Sequence, residues 1–394
     1  MHLNRRTALA TAAASLLAHR AYAETATLPF ANGERPLVAY PEKRKLLVLT
    51  SRPPQLETPF SVYGEGLITP NDAFFVRYHL SNIPTEIDPD TFRLDVKGHV
   101  DKPVSLSLSD LKAMPQTEIT AVHQCSGNGR GFFEPRVAGG QAGNGLMGNA
   151  KWTGVPLRAV LDRAGVKPGA VQVRFDGLDG PVADATPDFA KAIDLDHARD
   201  GEVMLAWAMN GAELPFLNGY PLRLVVPGYF GTYWVKHLNE ITVLDTPLAN
   251  FWMATAYRIP DNDCNCVQPG TPPAKTKPIG RFKVRSFVTS VESGAAVKTG
   301  PQTLSGIAFD GGTGIKYVEV SADDGKTWLQ AALGADAGKY GFRGWTAPVT
   351  LPPGEARIKV RATSNAGETQ PVEQPWNPAG YLRNLVETTV VRSA

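Results

Sequence analysis

The 394-residue chain holds only three cysteines, so no disulfide framework and no multi-thiolate metal cluster can organise its fold. It lacks any run of roughly 20 apolar residues, the length that a membrane-spanning helix requires. No Gly-x-Gly-x-x-Gly lies between a strand and a helix, so a Rossmann dinucleotide site is not supported. No Cys-x-x-Cys-His occurs either, which argues against haem attachment to this chain. Neither sign of charge dominates: 40 Lys and Arg stand against 38 Asp and Glu. Three of the arginines, Arg5, Arg6 and Arg20, fall in a segment that reads as a removable leader, which leaves the remainder close to neutral. Bulk charge therefore points away from a nucleic-acid surface. Internal repeats and low-complexity tracts are absent.

What the chain has in quantity is turn material, with 38 Gly and 32 Pro, which favours many short strands over a helical bundle. At 43% hydrophobic and 20% charged residues it is a globular composition, long enough for two or three domains each with its own core. Residues 1–23 carry Arg5-Arg6, a soft Ala-rich run and Ala21-Tyr22-Ala23, in the order of a twin-arginine export signal with its cleavage site. Export of folded protein to the periplasm is expected, and such cargo has usually acquired a complex cofactor first.

Residues 24–70 read as an extended N-terminal arm. From 71 to 257 strand and helix patterns mix: Phe92 to Lys97 alternates as a half-buried strand, and Leu157 to Ala164 has helical spacing before Gly165. Residues 258–280 have a Pro-rich linker composition. From 281 to 394 short alternating strands recur, with Asp323-Asp324-Gly325-Lys326 as a tight hairpin, the pattern of an immunoglobulin-type β-sandwich.

Cys125 stands alone in His123-Gln-Cys-Ser-Gly-Asn-Gly-Arg130. Gly127 and Gly129 let backbone approach a ligand closely, and Arg130 places a positive charge that favours thiolate. A buried inert thiol, a soft metal ligand and a nucleophile paired with His123 or His79 all remain open from the residues alone. Cys264-Asn-Cys266, in the linker, is open between a disulfide, free or partner-paired thiols, and part of a metal site.

Several collinear segments match one family: Phe74-Phe-Val-Arg-Tyr-His79, Cys125-Ser-Gly-Asn-Gly-Arg130, Asn149-Ala-Lys-Trp-Thr-Gly154, Ala206-Trp-Ala-Met-Asn-Gly211, Pro221-Leu-Arg-Leu-Val-Val-Pro-Gly228, Tyr233-Trp-Val-Lys-His-Leu238 and, in the last domain, Ser321 to Trp328 and Trp376-Asn-Pro-Ala-Gly380. The chain resembles the sulfite oxidase family of molybdopterin enzymes, most closely its bacterial periplasmic sulfite dehydrogenases. The resemblance implies an α+β, β-rich molybdopterin-binding domain followed by an immunoglobulin-like dimerisation domain. It implies a molybdenum-molybdopterin cofactor with Cys125 as the protein's one ligand to the metal. Phe75, Arg77, His79, the backbone near Asp176, Asn218, Arg223, Trp234 and Lys236 fall where the family holds the pterin and its phosphate. Arg77, Arg130 and Tyr257 fall where it receives a sulfur oxyanion. Each Arg or Lys could instead be a solvated charge or ion pair, and Tyr257 a packing aromatic at the linker. Arg223 and Lys236, however, sit in or beside apolar strands, where an unpaired charge is costly and a bound anion would relieve it.

The activity implied is oxidation of sulfite to sulfate by oxo transfer. The electrons would leave singly to a separate c-type cytochrome, since no haem is expected on this chain, and a homodimer is expected. Three departures bear on substrate. Ala379 replaces an arginine after Trp-Asn-x, with Arg383 a candidate stand-in. Leu217-Asn218-Gly219-Tyr220 replaces a His-containing run, and Gly129 replaces an arginine before Arg130. The alternatives are a same-family enzyme acting on sulfane sulfur or a sulfoxide, and a non-catalytic secreted binding protein.

Overall fold

The structure, a computed structural model, describes residues 24–394; the export signal expected over 1–23 lies outside them. The segment read as an arm supplies four strands, Thr25–Thr27, Glu34–Ala39, Lys45–Ser51 and Pro54–Glu57, of an antiparallel meander. Its fifth strand is Val76–Arg77, with Gln55 opposite Arg77. The arm therefore fixes the backbone of a candidate site residue.

Two further sheets form the centre. One orders Ala190–Asp194, Gln172–Gly177, Leu238–Leu244, Leu94–Gly98 and Val104–Leu106, with the third and fourth strands parallel. The other orders Ala212–Glu213, Met204–Met209, Met147–Pro156 and Thr117–Gln124, with Arg223–Val225 also paired to Met204–Met209. The helix Leu157–Ala164 turns Leu157, Val160, Leu161 and Ala164 inward, the spacing that puts four apolar groups on one face. These elements enclose one core around Phe74, Trp152, Phe175 and Trp234. Among the described residues no helix is long and apolar enough to cross a membrane.

Within the Pro-rich segment, Arg258–Pro260 pairs with Thr276–Pro278, and Cys264 and Cys266 form a disulfide. The last domain is a two-sheet sandwich of immunoglobulin-like type, built chiefly from Gly300–Phe309 against Arg343–Leu351 in one sheet and Ile315–Ser321, Gly354–Ser364 and Glu387–Ser393 in the other. Its own core contains Val318, Trp345, Ile358 and Val391. Asp324 and Gly325 both have positive φ, 64° and 88°, but the flanking strands pair only as far as Val320 opposite Leu329, so the tight hairpin expected over Asp323 to Lys326 is instead part of a longer loop held by the Ser321 and Asp323 side chains.

The two domains interlock through buried polar groups. Val122 donates its amide to the Tyr340 carbonyl at 2.8 Å. Arg285, only 1% exposed, reaches from the first strand of the sandwich to Gln124 Oε1 (3.2 Å), Asn144 Oδ1 (2.8 Å) and Glu387 (2.8 Å). Arg383 also bonds Glu387. Burial works against the Glu387 charge, but the two guanidinium groups outweigh it and hold its pKa below the usual carboxylate range.

Because the folded-state pKa is lowered, the stability this triad adds is present above the ordinary glutamate pKa and is lost as pH falls through the folded value. Glu387→Gln leaves two buried guanidinium groups without a counter-charge and is expected to cost about 3–5 kcal/mol. Urea unfolding at neutral pH should show the loss, and repeating it in acid should show the gap between the two proteins narrowing.

Candidate active site

Thr117–Gln124 is buried at its C-terminal end, and the chain leaves it at Cys125, whose amide donates to the Leu146 carbonyl at 2.9 Å. Gly129 then turns the backbone through φ 82°, and its amide bonds the Gly143 carbonyl at 2.7 Å. Glu57, fully inside, accepts from the amides of Gly143 (3.0 Å) and Gly145 (2.8 Å). The loop carrying Cys125 is thus held by backbone bonds on one side and by the N-terminal meander on the other.

Cys125 is a free, half-buried thiol on the wall between two clefts. The first is lined by Phe75, Arg77, Tyr78, His79, His123, Cys125, Ser126, Asp179, Phe189, Thr232, Trp234, Lys236 and Tyr257. The second is lined by Gln55, Arg77, Cys125, Gly127, Arg130, Gly139, Tyr257 and Tyr381. Arg77, Cys125 and Tyr257 belong to both.

Charge in the first cleft is not balanced. Lys236 bonds the Arg77 carbonyl and lies 3.3 Å from the Tyr78 ring centroid. Burial, helped by the nearby Arg223 charge, pushes its pKa well down against the pull of Asp179. Asp179 is itself pushed up to about 6 by burial. Behind the wall, Arg223 is 0% exposed, with its guanidinium over Trp152 at 4.8 Å and Trp234 at 5.6 Å. It donates to the carbonyls of Asn218 (2.8 Å) and Trp234 (3.4 Å), and burial lowers its pKa to about 9. No carboxylate pairs with Arg223 or Lys236 among the described residues.

His79 stacks on Phe189 at 3.6 Å and its Nε2 shares a 2.6 Å hydrogen bond with the Tyr257 hydroxyl. Burial, with Arg77, Lys236 and Lys191 adding to it, drives the His79 pKa well down, so the ring is neutral. His123 stacks on Trp234 at 4.6 Å. Neither histidine hydrogen-bonds Cys125 Sγ, which leaves a Cys-His nucleophilic pair without its geometry.

Three buried polar atoms of the first cleft, His123 Nδ1, Ser126 Oγ and Thr232 Oγ1, have no partner. Such orphans are costly unless a ligand satisfies them. Among the described residues no three His, Cys, Asp or Glu side chains converge, so a metal on Cys125 must bring most of its own ligands. Aromatic walls, orphaned polar atoms and unmatched cations together suit a metal chelated by an anionic, hydrogen-bonding organic group.

Comparison with known proteins supplies that group. Residues 79–252 match the oxidoreductase molybdopterin binding domain and residues 276–392 the Mo-co oxidoreductase dimerisation domain. Sulfite oxidase of Gallus gallus is 35% identical over 364 residues, 87% of this chain and 77% of that protein. The chain belongs to the sulfite oxidase family. Mitochondrial sulfite oxidase of Homo sapiens is 34% identical over 86% of this chain, which spans 64% of that protein's length. Arabidopsis thaliana sulfite oxidase is 29% identical over 89% of this chain and 95% of its own. The crystal structure of the sulfane dehydrogenase SoxCD from Paracoccus pantotrophus superposes with a TM-score of 0.75 at 26% identity, covering 94% of this chain and 88% of that one. Membership makes the chain a molybdopterin oxidoreductase and leaves the binding-protein alternative without support.

Of the residues expected to hold the cofactor, Phe75, His79, Cys125, Trp234 and Lys236 line the first cleft and are placed to hold molybdopterin there, while Arg77 lines both clefts. Three lie outside its lining. Asp176 pairs with Arg174 three residues before Asp179, which does reach the cleft. Asn218 spends its side chain on Lys43 and on the Phe75 carbonyl (3.0 Å), so both halves of its amide are already engaged. Arg223 supports the wall. Arg383 bonds Glu387 and lies over the Phe132 ring at 4.8 Å; it lines neither cleft and does not replace the arginine absent at Ala379. Sequence reasoning missed Tyr381, one residue past the Trp376 to Gly380 match, and Lys191, whose ammonium lies 5.3 Å from the Tyr257 ring. A lysine in the apolar strand Ala190–Asp194 was the available signal for the latter.

Lys236→Met removes the buried ammonium that faces the first cleft. Molybdenum and pterin content of the purified protein, by metal analysis and pterin fluorescence, should fall roughly tenfold, the scale of one lost charge-assisted hydrogen bond.

Proposed function

We propose that this chain is an exported enzyme that oxidises sulfite to sulfate and passes the two electrons singly to an external c-type cytochrome, as a periplasmic homodimer. The observation that carries the reading is the second cleft, where the guanidinium-bearing residues Arg77 and Arg130 and the tyrosines Tyr257 and Tyr381 surround Cys125 with no carboxylate among them. Paired guanidinium groups suit a small oxyanion through bidentate hydrogen bonds.

Molybdopterin on the Cys125 thiolate supplies the two-electron oxygen-atom chemistry. The chain's own residues do the rest. Arg77 and Arg130 bind the oxyanion oxygens and orient sulfur towards the metal side. Tyr257, shared by both clefts and held by neutral His79, keeps its proton because burial raises its pKa strongly, and its hydroxyl can donate a hydrogen bond to His79 Nε2 or to an oxyanion. Water must supply one oxygen and release two protons for each sulfite oxidised; with the His79 pKa driven down by burial, this pair orients the oxyanion and the protons leave to solvent.

Support for export comes from Arg5-Arg6 and the Ala21-x-Ala23 site. A dimerisation domain supports the homodimer, and the lack of a haem attachment motif in this chain supports a separate acceptor. A second reading, oxidation of sulfane sulfur, is favoured by the likeness to the Paracoccus sulfane dehydrogenase and by Ala379, which withholds one cation from the pocket.

Sulfite-dependent reduction of cytochrome c or ferricyanide by molybdenum-loaded protein tests the first reading. Silence with sulfite together with turnover of a protein-bound persulfide would move the assignment to the second. On the first reading Cys125→Ser abolishes turnover, and Arg77→Gln raises the KM for sulfite by at least about tenfold while molybdenum content changes far less. Equal loss of both would make Arg77 a cofactor residue.

A further inference from the structure

Arg130 enters the second cleft from a loop, and a guanidinium group on a loop needs fixing if it is to bind an anion in one geometry. The structure fixes it from two domains at once. A Cβ at Gly127 would lie 2.9 Å from Arg130 Cζ, one at Gly139 would lie 2.8 Å from its Nη1, and one at Gly380 would lie 2.9 Å from its Cγ. These are closer approaches than real Cβ atoms show, so a side chain at any of the three would push Arg130 out of its present position. Its Nε donates to the Ala379 carbonyl at 3.2 Å. Its Cζ lies 5.0 Å from the Tyr381 ring centroid, within cation–π range. Tyr381 in turn stacks on Tyr257 at 5.5 Å with planes 7° apart.

We infer that Tyr381 is a positioning and specificity residue of the oxyanion pocket, acting by holding the Arg130 guanidinium against its ring face. Ala379, Gly380 and Tyr381 all belong to the sandwich domain, so that domain completes the substrate cleft as well as offering a dimerisation surface. The position that carries no side-chain cation still acts on the pocket, through its backbone oxygen. The inference rests on the proposed oxyanion reading of this cleft, and it concerns the ring face of Tyr381, over which the Arg130 guanidinium lies.

The test is titration of molybdenum-loaded protein with sulfate by calorimetry, which reads anion binding without turnover, alongside the sulfite KM and kcat. Tyr381→Phe keeps the ring and should bind sulfate within about twofold of the parent protein. Tyr381→Val removes it and should weaken sulfate roughly tenfold, raising KM by a similar factor while kcat moves little. Gly127→Ala, whose added methyl meets the Arg130 guanidinium first, should weaken sulfate in the same way with the ring intact. Unchanged sulfate affinity in Tyr381→Val would overturn the inference. So would equal losses in the Phe and Val variants, which would assign the effect to the hydroxyl, or loss of molybdenum in step with sulfate, which would make Tyr381 a cofactor residue. If the parent protein binds sulfate and the variants behave as expected, but sulfite is not turned over, the inference stands and only the choice of substrate fails.

Discussion

Positive charge buried without a matching carboxylate is the constraint on which the site depends. Arg223 has no exposed surface and Lys236 is pressed against the Tyr78 ring, yet the described residues pair neither with an acid. A folded chain can hold such groups only by spreading the charge over carbonyls and aromatic faces or by binding an anion. Arg223 does the first, between Trp152 and Trp234. Lys236 faces a cleft with orphaned polar atoms beside it, which is the arrangement that makes anion binding and folding mutually supportive. The lowered pKa of both groups states the same imbalance, since burial costs each charge its solvation; only Lys236 faces a cleft where an anion could offset the loss.

The second cleft is built on a different solution. There the cations are held by geometry contributed from separate parts of the chain. Arg77 sits on a strand paired to the N-terminal meander, and Arg130 on a loop whose slot is walled in part by the sandwich domain. The Arg285, Gln124 and Asn144 bonds run from the sandwich to the residue just before Cys125 and to the loop packed behind it. Domain docking and site geometry are consequently one problem: displacing the sandwich would disturb Gln124, Arg130 and Tyr381 together.

Much of this was legible in the sequence, and the pattern of what was not is physical. Cys125 and Arg130 announce themselves by an isolated thiol among glycines. The β-rich architecture shows in turn spacing, and the helix Leu157–Ala164 in its apolar periodicity. Asn218 stands where the family resemblance implies a side chain facing the pterin. What sequence could not reveal is that Lys43, from the N-terminal meander, arrives 175 positions earlier in the chain to occupy its amide. Arg383 was a reasonable substitute for a missing cation until its partner Glu387, four residues on, was seen to claim it. Tyr381 escaped for the converse reason. A lone aromatic in the second domain carries no local signal, and its role exists only through stacking on Tyr257 across the domain boundary.

The loss of an arginine at Ala379 can be weighed against charge balance within the cleft. Arg77 and Arg130 supply two positive charges and no carboxylate lines the cleft, so the charge of a dianionic oxyanion is already matched by two guanidinium groups. A third would overcompensate it. In its place the chain has a backbone acceptor that orients Arg130 and a tyrosine that covers it, exchanging a mobile charge for a fixed one. A bound oxyanion gains more from a preorganised fork than from an additional flexible cation, because ordering a long side chain costs conformational entropy at the moment of binding. Under the sulfite reading the pocket is thus complete with two arginines.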